Sequence, residues 1–405
     1  MPETAVPTFP LSRASGCPFD PPPQYAALRK EAPVSPIRLW NGQVAWLLTR
    51  YADQRAVLAD PRFSADATRP GHPAQSAGVE ASRNPGRFPF IVRDDPEHNQ
   101  QRRMFTAYFT VKRVAAMKPR IQQIIDQLLD TMEAAGPPAD LVSAFALPMP
   151  SLVISELLGV PHRDRALFQR TSRALVTLDS TPEQARTAAR ELAEYLDELI
   201  TVKEREPADD LLSGLVAERV HTGELGRAHL VENAILLLGA GHETTANMTA
   251  LGTLALLHHP EQLAVVRDSE DPARVANAVE ELLRYLTITH SGRRRVATED
   301  VEVAGTVIRA GEGVVLANDA GNRDETVFPD PDRLDIDRPG VRRHIAFGHG
   351  SHQCLGQNLA RAELQLAYPA LLRRFPGLRT AVPDSELRFK EDMLVYGVHE
   401  LPVAW

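Results

Sequence analysis

One cysteine in the C-terminal part of the chain has neighbours that suit it for chemistry. Residues 344–358 read HIAFGHGSHQCLGQN and are followed by the helix-forming run LARAELQLAY. Cys354 therefore closes a glycine-rich loop and stands immediately before a helix. Gly348, Gly350 and Gly356 permit tight backbone turns and the close approach of a second body. A helix N-terminus favours negative charge, so a thiol placed there is helped to ionise. Three fates are open to such a thiolate. It could join His344, His349 and His352 around zinc, although that spacing lacks the second cysteine pair of the usual sites. It could be an inert, buried thiol. It could also ligate a haem iron axially, which needs only one protein sulfur.

Other residues stand at suggestive spacings. Glu281 and Arg284 are three apart, and His98 and Arg102, in DDPEHNQQRRMF, are four apart. Either spacing puts both side chains on one face of a helix. Further along, Ala240–Gly241–His242–Glu243–Thr244–Thr245 sits inside a long helical pattern. Its His-Glu pair begins like the zinc motif H-E-x-x-H, but Ala246 occupies the place of the second histidine. GAGHET also imitates part of a G-x-G-x-x-G phosphate loop, yet it follows no strand. Gly239 and Gly241 each cost a helix roughly 1 kcal/mol against alanine. That cost suits a groove that must lie flat over a cofactor.

These residues need elements to carry them. Apolar residues recur at three- and four-residue spacing over 113–135, 151–158, 182–205, 229–258, 261–267, 273–286 and 355–373, which predicts helices there. Residues 37–50 (IRLWNGQVAWLLTR) predict a β-hairpin turning at Asn41–Gly42. A second strand-rich zone runs from about Arg293 to Leu316. Residues 1–24 are proline-rich and aperiodic and read as an extended surface arm. Strands that are few, distant and not alternating with helices exclude a doubly wound sheet. The expectation is a mainly α protein with a minor β part, built as one large domain over 25–405.

Composition narrows the function classes. Of 405 residues, 43% are hydrophobic and 24% charged, an ordinary globular balance. Lys plus Arg is 45 against 53 Asp plus Glu, a net charge of −8, which argues against nucleic acid as a partner. Uncharged apolar stretches are short, Ala234 to Gly241 lying between Glu232 and Glu243, so no membrane span is expected. The leader MPETAVPTFPLSRASG has no secretory pattern, and a cytoplasmic location is expected. Cys17 and Cys354 are the only cysteines, too few for a disulfide framework or an iron–sulfur cluster.

FGHGSHQCLG resembles the haem-binding loop of the cytochrome P450 family, F-x-x-G-x-[HR]-x-C-x-G, with Phe347, Gly350, His352, Cys354 and Gly356 at the fixed positions. Glu281 and Arg284 match the family's E-x-x-R, and Pro331–Asp332–Arg333–Leu334 resembles its P-[ED]-R-F segment. His98 and Arg102 resemble its H-x-x-x-R, and Arg295, chosen by the A-T-E-D that follows, its strand arginine. The resemblance implies haem b bound through Cys354, with His98, Arg102, Ala240, Arg295, Phe347, Gly348, His352 and Gly356 around it. It gives Glu243 and Thr244 the acid–alcohol role in proton delivery, and Glu281, Arg284 and Arg333 a bracing role. Pocket walls are implied at the loop 70–93, at 165–195, on the central helix, at 288–293 and at the turn 393–397. Phe88, Ile91, Val92, Leu237, Ile288, Thr289, Leu394 and Val395 are the implied liners, with Arg293 nearby to favour a carboxylate or polar group.

The implied activity is a monooxygenase acting on a small, largely apolar molecule, a monomer fed by a ferredoxin and its reductase. A basic docking face would draw on Arg103, Lys112, Arg113, Arg342, Arg343 and Arg361. Two alternatives remain open from the sequence. One is a P450-type nitric oxide reductase, against which Glu243 and the uncharged Ala65 and Ala67 speak. The other is a non-catalytic haem-binding protein.

Overall fold

Gly42, with φ of 83°, turns the chain between strands β1 (Val34–Arg38) and β2 (Val44–Leu48), which pair antiparallel with Val34 opposite Leu48. The hairpin begins three residues before the expected start, because Val34 and Leu48 are both buried in the sheet's core. The computed structural model describes residues 6–14, 16–82 and 88–405. Short strands β3 (Phe63–Ser64) and β4 (Ala139–Asp140) follow, and the expected strand zone resolves into β5 (Arg293–Ala297), β6 (Val301–Val303), β7 (Thr306–Ile308) and β8 (Gly313–Leu316). Two more, β9 (Arg379–Thr380) and β10 (Pro402–Ala404), lie near the C-terminus. The main sheet has the order β1-β2-β8-β5-β3, while β4-β10-β9 and β6-β7 form small sheets of their own.

Helices make up most of the rest, so the mainly α expectation with a minor β part holds. Each periodic segment is found as a helix: Val111–Ala135, Pro148–Leu158, Pro182–Arg205, Arg227–Leu257, Pro260–Asp268, Pro272–Leu286 and Gln357–Arg374. Further helices at Gln24–Glu31, Tyr51–Ala59 and Arg165–Val176 were not foreseen. Glu97–Thr106 (EHNQQRRMFT) is so polar that apolar spacing gives almost no signal.

Arg227–Leu257 is the centre of the molecule. Its 31 residues span about 46 Å. From Thr245 to Leu256 every residue is buried, and the helix as a whole packs against Pro148–Leu158, Pro182–Arg205 and Gln357–Arg374. Two glycines allow this packing. A Cβ on Gly241 would stand 2.9 Å from the Ile154 side chain, and one on Gly252 would stand 2.0 Å from the Tyr368 hydroxyl. Gly241 thus serves helix–helix contact and not a flat groove, which corrects that expectation. Gly239 has open space at its Cβ position and keeps the groove reading.

The proline-rich arm is clamped to the body. Pro7 accepts from the Arg38 N–H at 2.8 Å, and Phe9 donates to Arg38 at 2.9 Å, along the edge of β1. Phe9 and Phe19 are both buried. Among the described residues no helix is long and apolar enough to cross a membrane.

Candidate functional site

The Cys354 loop is fixed from both flanks by two consecutive buried acids of Pro272–Leu286. Glu280 accepts from the Arg361 Nε at 2.5 Å and lies 2.8 Å from His344 Nε2, so it ties the residues before and after the loop. Burial by itself would raise its pKa, but the hydrogen bonds from His344 and Arg361 outweigh that and hold it at about 2. Glu281 accepts two bonds from Arg284, at 2.7 and 2.8 Å, and two from Arg338, both at 3.1 Å. Arg284 donates onward to the carbonyls of Asn322 and Pro331. The Asn322 side chain in turn accepts from Ile345 at 2.8 Å, two residues ahead of Phe347.

Arg333, the expected third member, is exposed. Only its carbonyl joins the network, accepting from Arg284 and Arg338. Arg338 is the missing cation, and its position five residues further on, in Asp335–Ile336–Asp337–Arg338, was the signal that motif reading passed over. Leu334 takes the buried place beside them.

Within the loop, Gly348 and Gly350 have φ of 76° and 75°, the left-handed region open to glycine. A Cβ on Gly350 would lie 2.5 Å from the Leu58 carbonyl oxygen, and one on Gly348 would lie 2.9 Å from Arg293 Nε. The Cys354 N–H donates to Phe347 at 2.8 Å and closes the turn. Gly356 caps Gln357–Arg374, and its N–H is aimed at the sulfur. Burial pushes the Cys354 thiol up, while Arg293, the Gly356 N–H and Arg102 pull it down. The zinc reading fails on geometry. His344 is committed to Glu280, His349 lies 3.3 Å from Arg55, and no metal-type cluster of His, Cys, Asp and Glu exists among the described residues.

Around Cys354 the chain gathers cations. Arg102 donates to the Gln353 carbonyl at 2.5 Å. His98 and His352 stack with centroids 3.8 Å apart. Strand alternation along β5 puts Arg293 and Arg295 on one face, and both act on His352. Burial first, then Arg295, His98, Arg102 and Arg293, depress the His352 pKa to about 2. Burial and Arg293 bring Arg295 down to about 10. His98 Nε2, His352 Nδ1 and Arg293 Nε are buried and have no hydrogen-bond partner in the chain. Buried arginine and imidazole nitrogens without a partner fit a ligand bearing carboxylates. Arg293, read from sequence as a pocket residue, belongs instead to this cradle. Of the expected docking cations, Arg361 is consumed by Glu280 and Arg113 pairs with Asp209, whereas Arg103, Lys112 and Arg342 are exposed.

On the central helix Ala240 is exposed, while the residues that follow are mostly buried. The Thr244 hydroxyl donates to the Ala240 carbonyl at 2.7 Å, which leaves its oxygen free to accept. Glu243 is buried, with His242 Nε2 at 3.7 Å, Lys390 Nζ at 3.8 Å and Asn247 Nδ2 at 3.5 Å. Glu363 is a buried acid that motif reading missed. Burial raises it to about 8, and Thr245 is the group that resists.

The expected liners are partly assembled. Tyr396 donates to the Ile288 carbonyl at 2.8 Å and Ser291 to that of Leu394 at 3.1 Å, so Ile288–Thr289 and Leu394–Val395 share one wall. Thr287, in the left-handed region at φ 34°, turns the bracing helix into that wall. Phe90 donates to Asn233, bringing Phe88 and Val92 toward the Leu237 turn of the central helix. Phe88, Leu237 and Ile288 are buried, Val92, Thr289, Leu394 and Val395 half-buried, and Ile91 is 40% exposed. Residues 83–87 of the implied 70–93 wall lie outside the described residues.

The sequence matches the cytochrome P450 family over residues 48–394. It is 54% identical to cytochrome P450-SU2 of Streptomyces griseolus over 400 residues, 98% of this chain and 97% of the relative. It is 49% identical over 403 residues to a vitamin D3 dihydroxylase of the same organism, 99% of this chain and 98% of that one. Among solved structures, CYP105P1 in complex with filipin I has a TM-score of 0.92 at 45% identity, with 99% of each chain covered. The chain belongs to the cytochrome P450 family, whose cofactor is a haem iron. It is a P450 monooxygenase.

Proposed function

We propose that Cys354 would hold the iron of a haem b through its thiolate and that the chain inserts one oxygen atom into a small, largely apolar organic molecule by hydroxylation or epoxidation. The observation that carries this reading is the cysteine at a helix N-terminus, beside buried Arg293, His98 and His352 nitrogens that have no hydrogen-bond partner in the chain. Haem, when bound, supplies the activation of dioxygen. The chain's own residues do the rest. Arg102, Arg293, Arg295, His98 and His352 would hold the cofactor's two carboxylates. Ala240 and Gly239 leave space on the opposite side. The Thr244 oxygen would accept a hydrogen bond from a group in that space, and Glu243 next to it would relay protons from solvent.

Phe88, Leu237, Ile288, Leu394 and Val395 present an apolar wall, the usual make-up of a small-molecule site. Relatives whose names carry vitamin D3 and filipin support an organic substrate of that general size. Electrons come from a separate ferredoxin and reductase, docked at the exposed Arg103, Lys112 and Arg342. Residues 25–405 act as one catalytic unit. The test is spectral titration of the purified holoprotein with macrolides, steroids and aromatic xenobiotics. A Soret shift with at least one class is expected, and silence toward every bulky apolar ligand would contradict the pocket.

A further inference from the structure

The pocket wall and the buried acid Glu243 are joined by one piece of chain. Phe389 bridges Val398 antiparallel, and the Lys390 N–H donates to the Gly397 carbonyl at 2.9 Å, so residues 389–398 form a hairpin. Its tip carries the half-buried Leu394 and Val395. That tip is pinned to the 288–291 segment of the same wall: His290 Nε2 lies 2.6 Å from the Met393 carbonyl, and Tyr396 donates to the Ile288 carbonyl.

The base of the same hairpin reaches Glu243 by two routes. Lys390, only 7% exposed, places its ammonium 3.8 Å from Glu243 Oε2. Gly397 packs so closely on Asn247 that a Cβ there would stand 2.0 Å from Asn247 Oδ1. Asn247 in turn donates to the Glu243 backbone carbonyl at 2.8 Å and faces its carboxylate at 3.5 Å. A buried ammonium is costly unless an anion faces it. Burial lowers the Lys390 pKa, and Glu243 is the strongest group opposing that. Arg173, Asp392 and Asp140 also act on Lys390, and His242, bonded to Ser151 at 3.0 Å, faces Glu243 from the other side. At 3.8 Å the Lys390–Glu243 pair is looser than a hydrogen bond, so a small movement of the hairpin changes it.

We infer that the hairpin 389–398 couples substrate occupancy to proton delivery, with Lys390 as the positioning residue that holds Glu243 until a ligand presses on Leu394 and Val395. The inference rests on the proposed proton-relay role of Glu243. With Lys390 in place, the acid is drawn toward the hairpin base and away from Thr244. A ligand against the tip shifts the hairpin, loosens the pair and frees the carboxylate to serve the relay.

The test uses the holoprotein with any compound that shifts its Soret band, comparing Lys390→Met, Lys390→Arg and Glu243→Gln. In the wild type, ligand should alter amide hydrogen exchange in 389–398 and in 241–248 together. In Lys390→Met the hairpin should still respond and the ligand should still bind, but the helix segment should not respond. Oxidation of reduced nicotinamide without ligand should rise several-fold, and Lys390→Arg should restore both readouts. Leu394→Ala gives a second route if Lys390→Met folds poorly, and should likewise silence the helix response. Wild-type exchange coupling and wild-type ligand-free nicotinamide oxidation in Lys390→Met, with Glu243→Gln impaired, would overturn this inference alone. Glu243→Gln without effect would overturn the relay reading beneath it as well.

Discussion

The two sides of the site are built differently. Below, the Cys354 loop is held by consecutive buried acids, by Asn322 gripping Ile345 and by left-handed glycines pressed against backbone. Above, the pocket wall depends on a few hydrogen bonds to the 393–396 turn, and Val92, Thr289, Leu394 and Val395 are only half-buried. The difference teaches where this molecule places rigidity. A side chain proposed to hold a metal must keep one geometry, and the supports of Cys354 are accordingly redundant and polar. A wall that meets varied organic molecules works better apolar and lightly tied.

Breaking the lower side should cost most. Glu281→Ala leaves Arg284 and Arg338 buried without an anion, a loss of about 3–5 kcal/mol. Little haem-loaded protein should be recovered, and a normal yield would reduce the network to decoration. Glu280→Gln should cost somewhat less, on the order of 3 kcal/mol at neutral pH. Its sign with pH is definite. The folded pKa of about 2 lies below the ordinary 4.5, so the stabilisation is complete above 4.5 and disappears as the pH falls toward 2. Acid unfolding curves of wild type and Glu280→Gln should therefore converge in strong acid, and curves that stay parallel would refute the assignment.

On the upper side, Thr244→Ala should leave folding and haem content intact but lower product per electron pair by roughly tenfold, with peroxide rising. Unchanged coupling would remove Thr244 from the relay. The smallest effect is expected from Arg333→Ala, which should leave melting temperature and haem content unchanged, whereas Arg338→Ala should behave like Glu281→Ala. Equal effects of the two would restore the motif-based choice of Arg333.

Much of this was legible in the sequence because the signals are local. Cys354, its glycines and the E-x-x-R pair lie within short motifs, and the long helices announce themselves by spacing. What escaped depends on which distant segments meet. Nothing in PDRLDIDR says that Arg338 rather than Arg333 turns inward to Glu281. Gly241 reads as a weak point in a helix until Ile154 is seen against it. Lys390 and Glu363 are ordinary charged residues on paper, and only burial makes them notable. Arg293 and Arg295 share a strand face, so sequence register alone could not divide the cradle from the pocket.

The measurement that bears most directly on the account is the reduced carbon-monoxide spectrum of the purified protein beside that of Cys354→Ser. The long-wavelength Soret band that gives the family its name should be present in the wild type and abolished in the variant. If the band survives the substitution, or if the wild type shows only the shorter-wavelength band of imidazole-ligated haem, another side chain holds the iron and the site described around Cys354 is misassigned.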